Sequence, residues 1–485
     1  MTMLQNAIIL TTGFLLSQVL IARNTHFRLI SFLLRHGGTG LRSLLTSVLL
    51  ISYGLSIFLS NTVVVLALLP VVNRLMGFVT DGVSKKEVAT LFYLALTFGA
   101  TTGGLASLTG NPLNAFSAGL LEFYRIDNRE HVNFFSWLMI GIPATLVIIA
   151  AARMIILRTA RNCNEMALIY PDSQEKARLP HRSLLFFALN MAFITTLSGI
   201  QFFLKPAPLL SGLSWIDLGF LCYGTLFALF SFLYPAKTAQ PGNVLKNTVF
   251  LLFFVTSFPI LLISRISMEI ERHMRIPLSP LYLFLERKLQ QLFDKLWRRL
   301  FGEPSGSIES ANSNALLSIN TIIFDIPYFG LLLVTLFGSF LYLILNVGDN
   351  PATPQSDGFL VNAVTGLILD MLEPLETPLL LIPVLNAAAA FSSELLSNTA
   401  IVVILSPLMI ATAPHTGLSP LVLLLSLTTA ASAAYMTPLA SPANTLAFGG
   451  FKRVSLKTII AAGMMMNIMA SIVIAIVFLG ISLLP

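Results

Sequence analysis

Ser60-Asn61-Thr62 recurs as Ser397-Asn398-Thr399, and each triplet opens an apolar run with a proline ten residues after the serine: SNTVVVLALLP at 60–70 and SNTAIVVILSP at 397–407. A second pair follows in the same order. GNPLN at 110–114 and ASPAN at 440–444 share Pro-x-Asn, at 112/114 and 442/444. The offsets between copies are 337 and 330 residues, so the order is kept with a small change in length. Polar clusters at matched places in two hydrophobic halves restrict the fold to one built from an internal repeat.

The solvent of that fold follows from composition. The chain is 55% hydrophobic and 11% charged, with a mean hydropathy of +0.83. Apolar stretches of about 20 residues recur too often for a soluble core, so the expected class is an all-α, multi-pass protein of the cell (inner or plasma) membrane. No alternating strand pattern suggests a β-barrel. A net charge of +7 would suggest nucleic acid in a soluble chain; in a membrane protein the basic residues are expected to line cytoplasmic loops, and no nucleic-acid partner is implied. Cys163 and Cys222 are too few for a disulfide framework or a metal site. Residues 4–22 lack a basic leading region and read as a retained span.

Charge then fixes the topology. Arg23, Arg28, Arg35 and Arg42 follow the first span with no acid between them, placing that side in the cytoplasm and the N-terminus outside. The 31 uncharged residues between Arg42 and Arg74 are long for one span and short for two, with basic residues at both ends. A re-entrant hairpin over 43–79 with Ser60-Asn61-Thr62 at its tip meets those conditions, provided it lines a cavity. Residues 87–122 are interrupted by Thr101-Thr102-Gly103-Gly104 and Gly110-Asn111-Pro112 and predict a broken helix, and 135–157 returns to a basic stretch. The first repeat is therefore 1–160.

The second repeat, 318–485, runs oppositely. No lysine or arginine occurs from Leu300 to Phe451, while Arg298 and Arg299 precede that region and Lys452, Arg453 and Lys457 close it. A span at 318–346 leads to an acidic outer stretch with Asp349, Asp357, Asp370, Glu373 and Glu376. A second hairpin (378–412), a second broken helix (419–449) and a final span (458–484) follow, leaving the C-terminus outside. Residues 161–317 are expected to supply scaffold helices. Three apolar segments there (183–204, 208–234, 249–265) would break parity, so 249–265, with Pro259, is expected to be re-entrant or interfacial. The amphipathic stretch 278–300 should lie along the cytoplasmic face or pack on a partner.

Serine, asparagine and threonine supply oxygens for a hard cation, and amide and hydroxyl protons for a carboxylate. Ser56 and Ser393 precede the tip serines Ser60 and Ser397 by four residues, one face of a helix. A broken helix frees carbonyls for a cation at one end and N–H groups for an anion at the other. A lone Ser-Asn-Thr would read as a cap or an interhelical bond; two, with matched serines and matched Pro-x-Asn sites, favour binding. Intramembrane Glu394 has three open roles: part of a cation site, part of a proton path, or a bond to a polar partner near the tip.

These residues resemble the divalent anion/sodium symporter family, which carries di- and tricarboxylates or sulfate. The likeness is carried by FSSELLSNTAIVVILSPL (391–408) and AASAAYMTPLASPANTLAFGGF (430–451). LSIFLSNTVVVLALLP (55–70) and TGGLASLTGNPLNAFSAGLL (102–121) carry it in the first half. The resemblance implies a sodium site at Ser56, Ser60, Asn61 and Gly110, and a mirror site at Ser393, Ser397, Asn398 and Ala440. It implies that Asn61, Thr62, Asn398 and Thr399 hold the substrate carboxylates, with Asn111, Pro112, Ser441 and Pro442 beside them. It further implies sodium-coupled uptake of a small divalent anion such as a dicarboxylate, an elevator-type movement, a homodimer in the lipid bilayer and no organic cofactor. Two departures stand out: the family's Thr-Pro-Pro-Asn is Asn-Pro-Leu-Asn at 111–114 and Ser-Pro-Ala-Asn at 441–444, and one span, not several, precedes the first hairpin.

The alternative within the same superfamily is a sodium/proton antiporter or an oxyanion exporter. An intramembrane enzyme would need a convergent nucleophile, base or metal cluster. The six histidines fall in expected loops or interfaces, away from a cysteine or acid at ligand spacing. A channel would want a continuous polar stripe, whereas the polar residues here concentrate at four breaks.

Overall fold

The computed structural model describes residues 40–76, 85–163, 181–204, 214–233, 277–301, 378–396, 398–451 and 453–483, with isolated residues among 5–15 and 245–271. Among them the regular structure is helical. The expected spans at 4–22 and 318–346 lie mostly or wholly outside the described residues, as does Ser397. The chain divides into two compact units, Met1–Cys222 with Gly348–Pro485, and Tyr223–Val347.

In the first unit, α1 (Leu41–Ser56) and α2 (Asn61–Met76) form a helical hairpin. At about 1.5 Å per residue, 16 residues reach roughly 24 Å, short of a hydrocarbon core of about 30 Å. Next come α3 (Lys85–Leu105), α4 (Pro112–Phe123) and α5 (Phe134–Thr159). After α6 (His181–Leu204) and α7 (Trp215–Leu233), of which the first unit holds the residues up to Cys222, the same five-element order returns: a hairpin of α9 (Pro378–Ser392) and α10 (Asn398–Thr416), then α11 (Pro420–Ser432), α12 (Pro442–Gly450) and α13 (Leu456–Ser482). Among the described residues, Lys85–Leu105, Phe134–Thr159, Leu185–Leu204 and Leu456–Ser482 are long and apolar enough to cross a membrane.

The core is centred on α3, every residue of which from Val88 to Leu105 is buried, against α1, α2, α5 and α12. Small residues permit the closest of these contacts. Gly99 and Gly103 of α3, four apart, lie against Ser52, Tyr53 and Ser56 of α1, and the backbones leave no room for a Cβ. Ser52 and Ser56 bridge the same seam, Ser56 Oγ donating to Ala100 O at 2.7 Å. This packing explains one difference from expectation. Thr101-Thr102-Gly103-Gly104 does not interrupt α3, which continues to Leu105; glycine there serves close approach, and the break is confined to residues 106–111.

Bonds also run between the two halves. Thr102 Oγ1 and Tyr435 OH are 3.0 Å apart, with the Tyr435 ring edge-on to Phe98. Ser455 N donates to Thr90 Oγ1 at 2.8 Å, and Asn73 Nδ2 to Gly450 O at 3.1 Å.

In the second unit, α8 (Ser279–Phe301) buries Leu289, Phe293 and Trp297. Tilted ring contacts run from Phe253 to Phe293, Trp297 and Phe301. Another face exposes Leu281, Phe284 and Leu292 among Lys288, Lys295 and Arg299. Lys288 Nζ rests 5.8 Å from the Phe284 ring centre, the placement expected of a snorkelling side chain.

Candidate functional site

Each broken helix resumes in the same way. Asn111 caps α4, its Oδ1 accepting from Leu113 N at 3.1 Å, with Pro112 at the first helical position. Ser441 caps α12, its Oγ accepting from Asn444 N at 3.2 Å, with Pro442 first. Pro lacks the N–H that a first turn leaves unpaired, so both starts are preorganised. Asn111 and Ser441 are buried and both prolines exposed.

The asparagine of each Pro-x-Asn clasps its break. Asn114 Nδ2 donates to Gly104 O (3.0 Å) and Ser107 O (2.8 Å). Asn444 Nδ2 donates to Ala434 O (3.1 Å) and Thr437 O (3.2 Å), the positions 330 residues on. Trp137 Nε1 adds a bond to Leu105 O at 3.1 Å, so carbonyls orphaned where α3 ends are satisfied by side chains. The sequence displayed these asparagines, but not what they hold.

The hairpin tips meet the breaks. In the first half Asn61 N donates to Gly110 O at 3.0 Å. A Cβ on Gly110 would stand 2.5 Å from Ser56 O, so Ser56, Asn61 and Gly110 are brought together. Ser56 and Ser60 do not share a helix face, because α1 ends at Ser56 and Ser60 lies in the link before α2. Asn61 Oδ1 accepts from Thr62 N at 2.8 Å. In the second half Ser393 also follows the end of its helix, α9, and its Oγ donates to Ala390 O at 2.8 Å. Asn398 and Thr399 begin α10, half-buried, and Ala440 is buried in the break.

Of the open roles for Glu394, the structure supplies polar partners near the tip: the N–H groups of Met436 and Thr437, and Asn467 on α13. Asn467 sits in a run rich in methionine, isoleucine and alanine, legible as an intramembrane polar residue but without an indicated partner.

The donor set suits a hard cation. Ser56 and Ser393 have spent their hydroxyl protons on carbonyls, so the atoms left to a ligand are lone pairs. Buried Oδ1 atoms of Asn114, Asn398 and Asn444 have no hydrogen-bond partner, and such acceptors call for an ion or water.

The family model for citrate transporters (CitMHS) matches residues 2–374. The sodium-dependent dicarboxylate transporter SdcS of Staphylococcus saprophyticus is 24% identical over 474 residues, 96% of this chain and 74% of that protein. SdcS of a Staphylococcus aureus strain is 21% identical over 472 residues, with the same coverage. An uncharacterised transporter of Methanocaldococcus jannaschii is 27% identical over 121 residues, 25% of each chain.

Proposed function

Because the chain belongs to the citrate transporter family, and is thus a multi-pass secondary transporter and not an enzyme, we propose that it takes up a divalent anion, a dicarboxylate in the first instance, coupled to sodium. The observation that carries this reading is the apposition of each hairpin to a capped, clasped break, through Asn61 N and Gly110 O in the first half and through Glu394 and the Met436 and Thr437 N–H groups in the second. Beside these contacts stand the Ser56 and Ser393 hydroxyls with spent protons and an Asn398 Oδ1 with no hydrogen-bond partner. Ser56, Ser60, Asn61 and Gly110 would hold one sodium ion, and Ser393, Ser397, Asn398 and Ala440 another. Asn61, Thr62, Asn398 and Thr399 would face the carboxylates, with the N-terminal turns of α4 and α12, beginning at Asn111-Pro112 and Ser441-Pro442, contributing favourable dipoles. The similarity to a sodium-dependent dicarboxylate transporter supports both cation and substrate class.

We read 1–160 and 318–485 as inverted repeats around these sites, with 161–317 supplying scaffold for an elevator-type movement in a homodimer. The repeated order of hairpin, broken helix and long helix supports that reading, as does the charge asymmetry of the loops. The decisive assay is uptake of radiolabelled succinate, citrate and sulfate into proteoliposomes with and without an inward sodium gradient. Sodium-driven succinate uptake is expected. Sodium efflux driven by a pH gradient, with no anion uptake, would establish the antiporter instead.

A further inference from the structure

The stretch 377–451 contains one carboxylate, Glu394, and no lysine or arginine. Glu394 is 2% exposed, a costly place for an acid unless polar groups partner it. Its Oε1 accepts from Met436 N at 2.7 Å and Asn467 Nδ2 at 2.8 Å, and its Oε2 from Thr437 N at 2.6 Å. Asn467 also accepts from Tyr435 N at 3.0 Å. Three consecutive N–H groups of the second break are thus held by one acid and one amide. Thr437 Oγ1 closes the ring by donating to Glu394 O at 2.9 Å.

The first half shows what is special here. Ile57 stands where Glu394 does in the 337-residue register. Its carbonyl takes the hydroxyl of Ser107, the counterpart of Thr437. The sequences 43–73 and 88–121 contain no carboxylate; the tip is tied by the backbone bond from Asn61 N to Gly110 O. The second half instead joins hairpin, break and α13 through side chains, and charge-assisted bonds of this kind are short and strong.

We propose that Glu394, with Asn467, is the positioning residue of the second binding loop, holding Asn398 and Thr399 at the spacing from Ser441 that the anion needs. This rests on the reading of those residues as a binding site. The test uses the full chain in proteoliposomes, with Glu394→Gln and Asn467→Ala. Either change is expected to raise the half-saturating succinate concentration about tenfold, the scale of one charge-assisted bond, with maximal rate changed less than about threefold. The double variant should be no worse than the worse single one, because both open the same clasp.

Spin labels at Leu395→Cys and Leu439→Cys, 85% and 82% exposed in the native chain, in a background lacking Cys163 and Cys222, give a readout independent of transport. Their distance distribution should be narrow with Glu394 and Asn467 present, and broaden in either variant. Unchanged distances would overturn the proposal. So would a sodium dependence shifted by Glu394→Gln and not by Asn467→Ala, which marks a cation ligand. Should the wild type take up no anion, the transport reading fails while the label distances still decide whether the clasp exists.

Discussion

Gly110→Ala is expected to disable the first hairpin, at a cost that can be worked from the structure. The added methyl would stand 2.5 Å from Ser56 O, 2.9 Å from Gly104 Cα and 3.0 Å from Gly104 O, all backbone atoms. Ordinary contact begins near 3.4 Å, so the end of α1 and the break must part by about 0.9 Å. Overpacking on this scale costs roughly 1–3 kcal/mol. If the tip stays with α1, the Asn61 N to Gly110 O bond of 3.0 Å lengthens to about 3.9 Å, which ends it and removes about 1 kcal/mol more. The total, about 2–4 kcal/mol, should lower the melting temperature of the purified protein by several degrees and abolish sodium-driven uptake. The second half supplies an internal control, since the counterpart of Gly110 is Ala440. Ala440→Gly should cost no more than about 1 kcal/mol. A Gly110→Ala protein that melts and transports like the wild type would refute the close contact between tip and break.

Asn61→Ala and Asn398→Ala should each abolish uptake in a protein that still inserts and folds, since a lost polar partner costs roughly 1–3 kcal/mol and more against a charged ligand; wild-type uptake would reduce the triplets to caps. Sodium, but not potassium, should raise the melting temperature, by the equivalent of about 2.7 kcal/mol at a hundredfold excess over Kd; Ser56→Ala and Ser393→Ala should each weaken the effect and together remove it. Asn114→Asp and Asn444→Asp keep an oxygen and lose both clasping donors, so each should destabilise by about 2–4 kcal/mol; a gain in sodium affinity instead would make Oδ1 a direct ligand. Single-cysteine labelling should find 123–134 accessible from outside and 158–182 from the cytoplasm, and a common side for both would end the proposed topology.

The helical membrane class was legible because hydropathy and charge are local properties of the chain. The same signals mark where helices lie: α1 and α2 span Leu41–Ser56 and Asn61–Met76, and α9 and α10 Pro378–Ser392 and Asn398–Thr416, each pair parted at its polar triplet. The position of the first break within its segment was less legible. Gly103-Gly104 reads as an interruption until α1 is seen packed on Gly103, and Gly110 and Asn61 on Gly104. The serine pairs misled in a related way, because spacing of four implies a shared face only if the helix continues, and α1 and α9 both stop short. Glu394 with Asn467, and Thr102 with Tyr435, lay beyond any sequence pattern: their partners are 73 and 333 residues apart, and nothing local encodes a contact at that range.

The bond between Thr102 and Tyr435 bears on how far the two halves could stand in for one another. Here the link from Thr102 to Tyr435, from Thr90 to Ser455 and from Asn73 to Gly450 each takes one partner from 41–159 and the other from 378–482. Leu105 occupies the register position of Tyr435, and Ser432 that of Thr102. A self-paired first half would therefore offer leucine where the phenol is needed, and a self-paired second half would bring serine to it in place of threonine. The two halves are therefore not interchangeable at this contact, and a change at Thr102 or at Tyr435 is felt by the other.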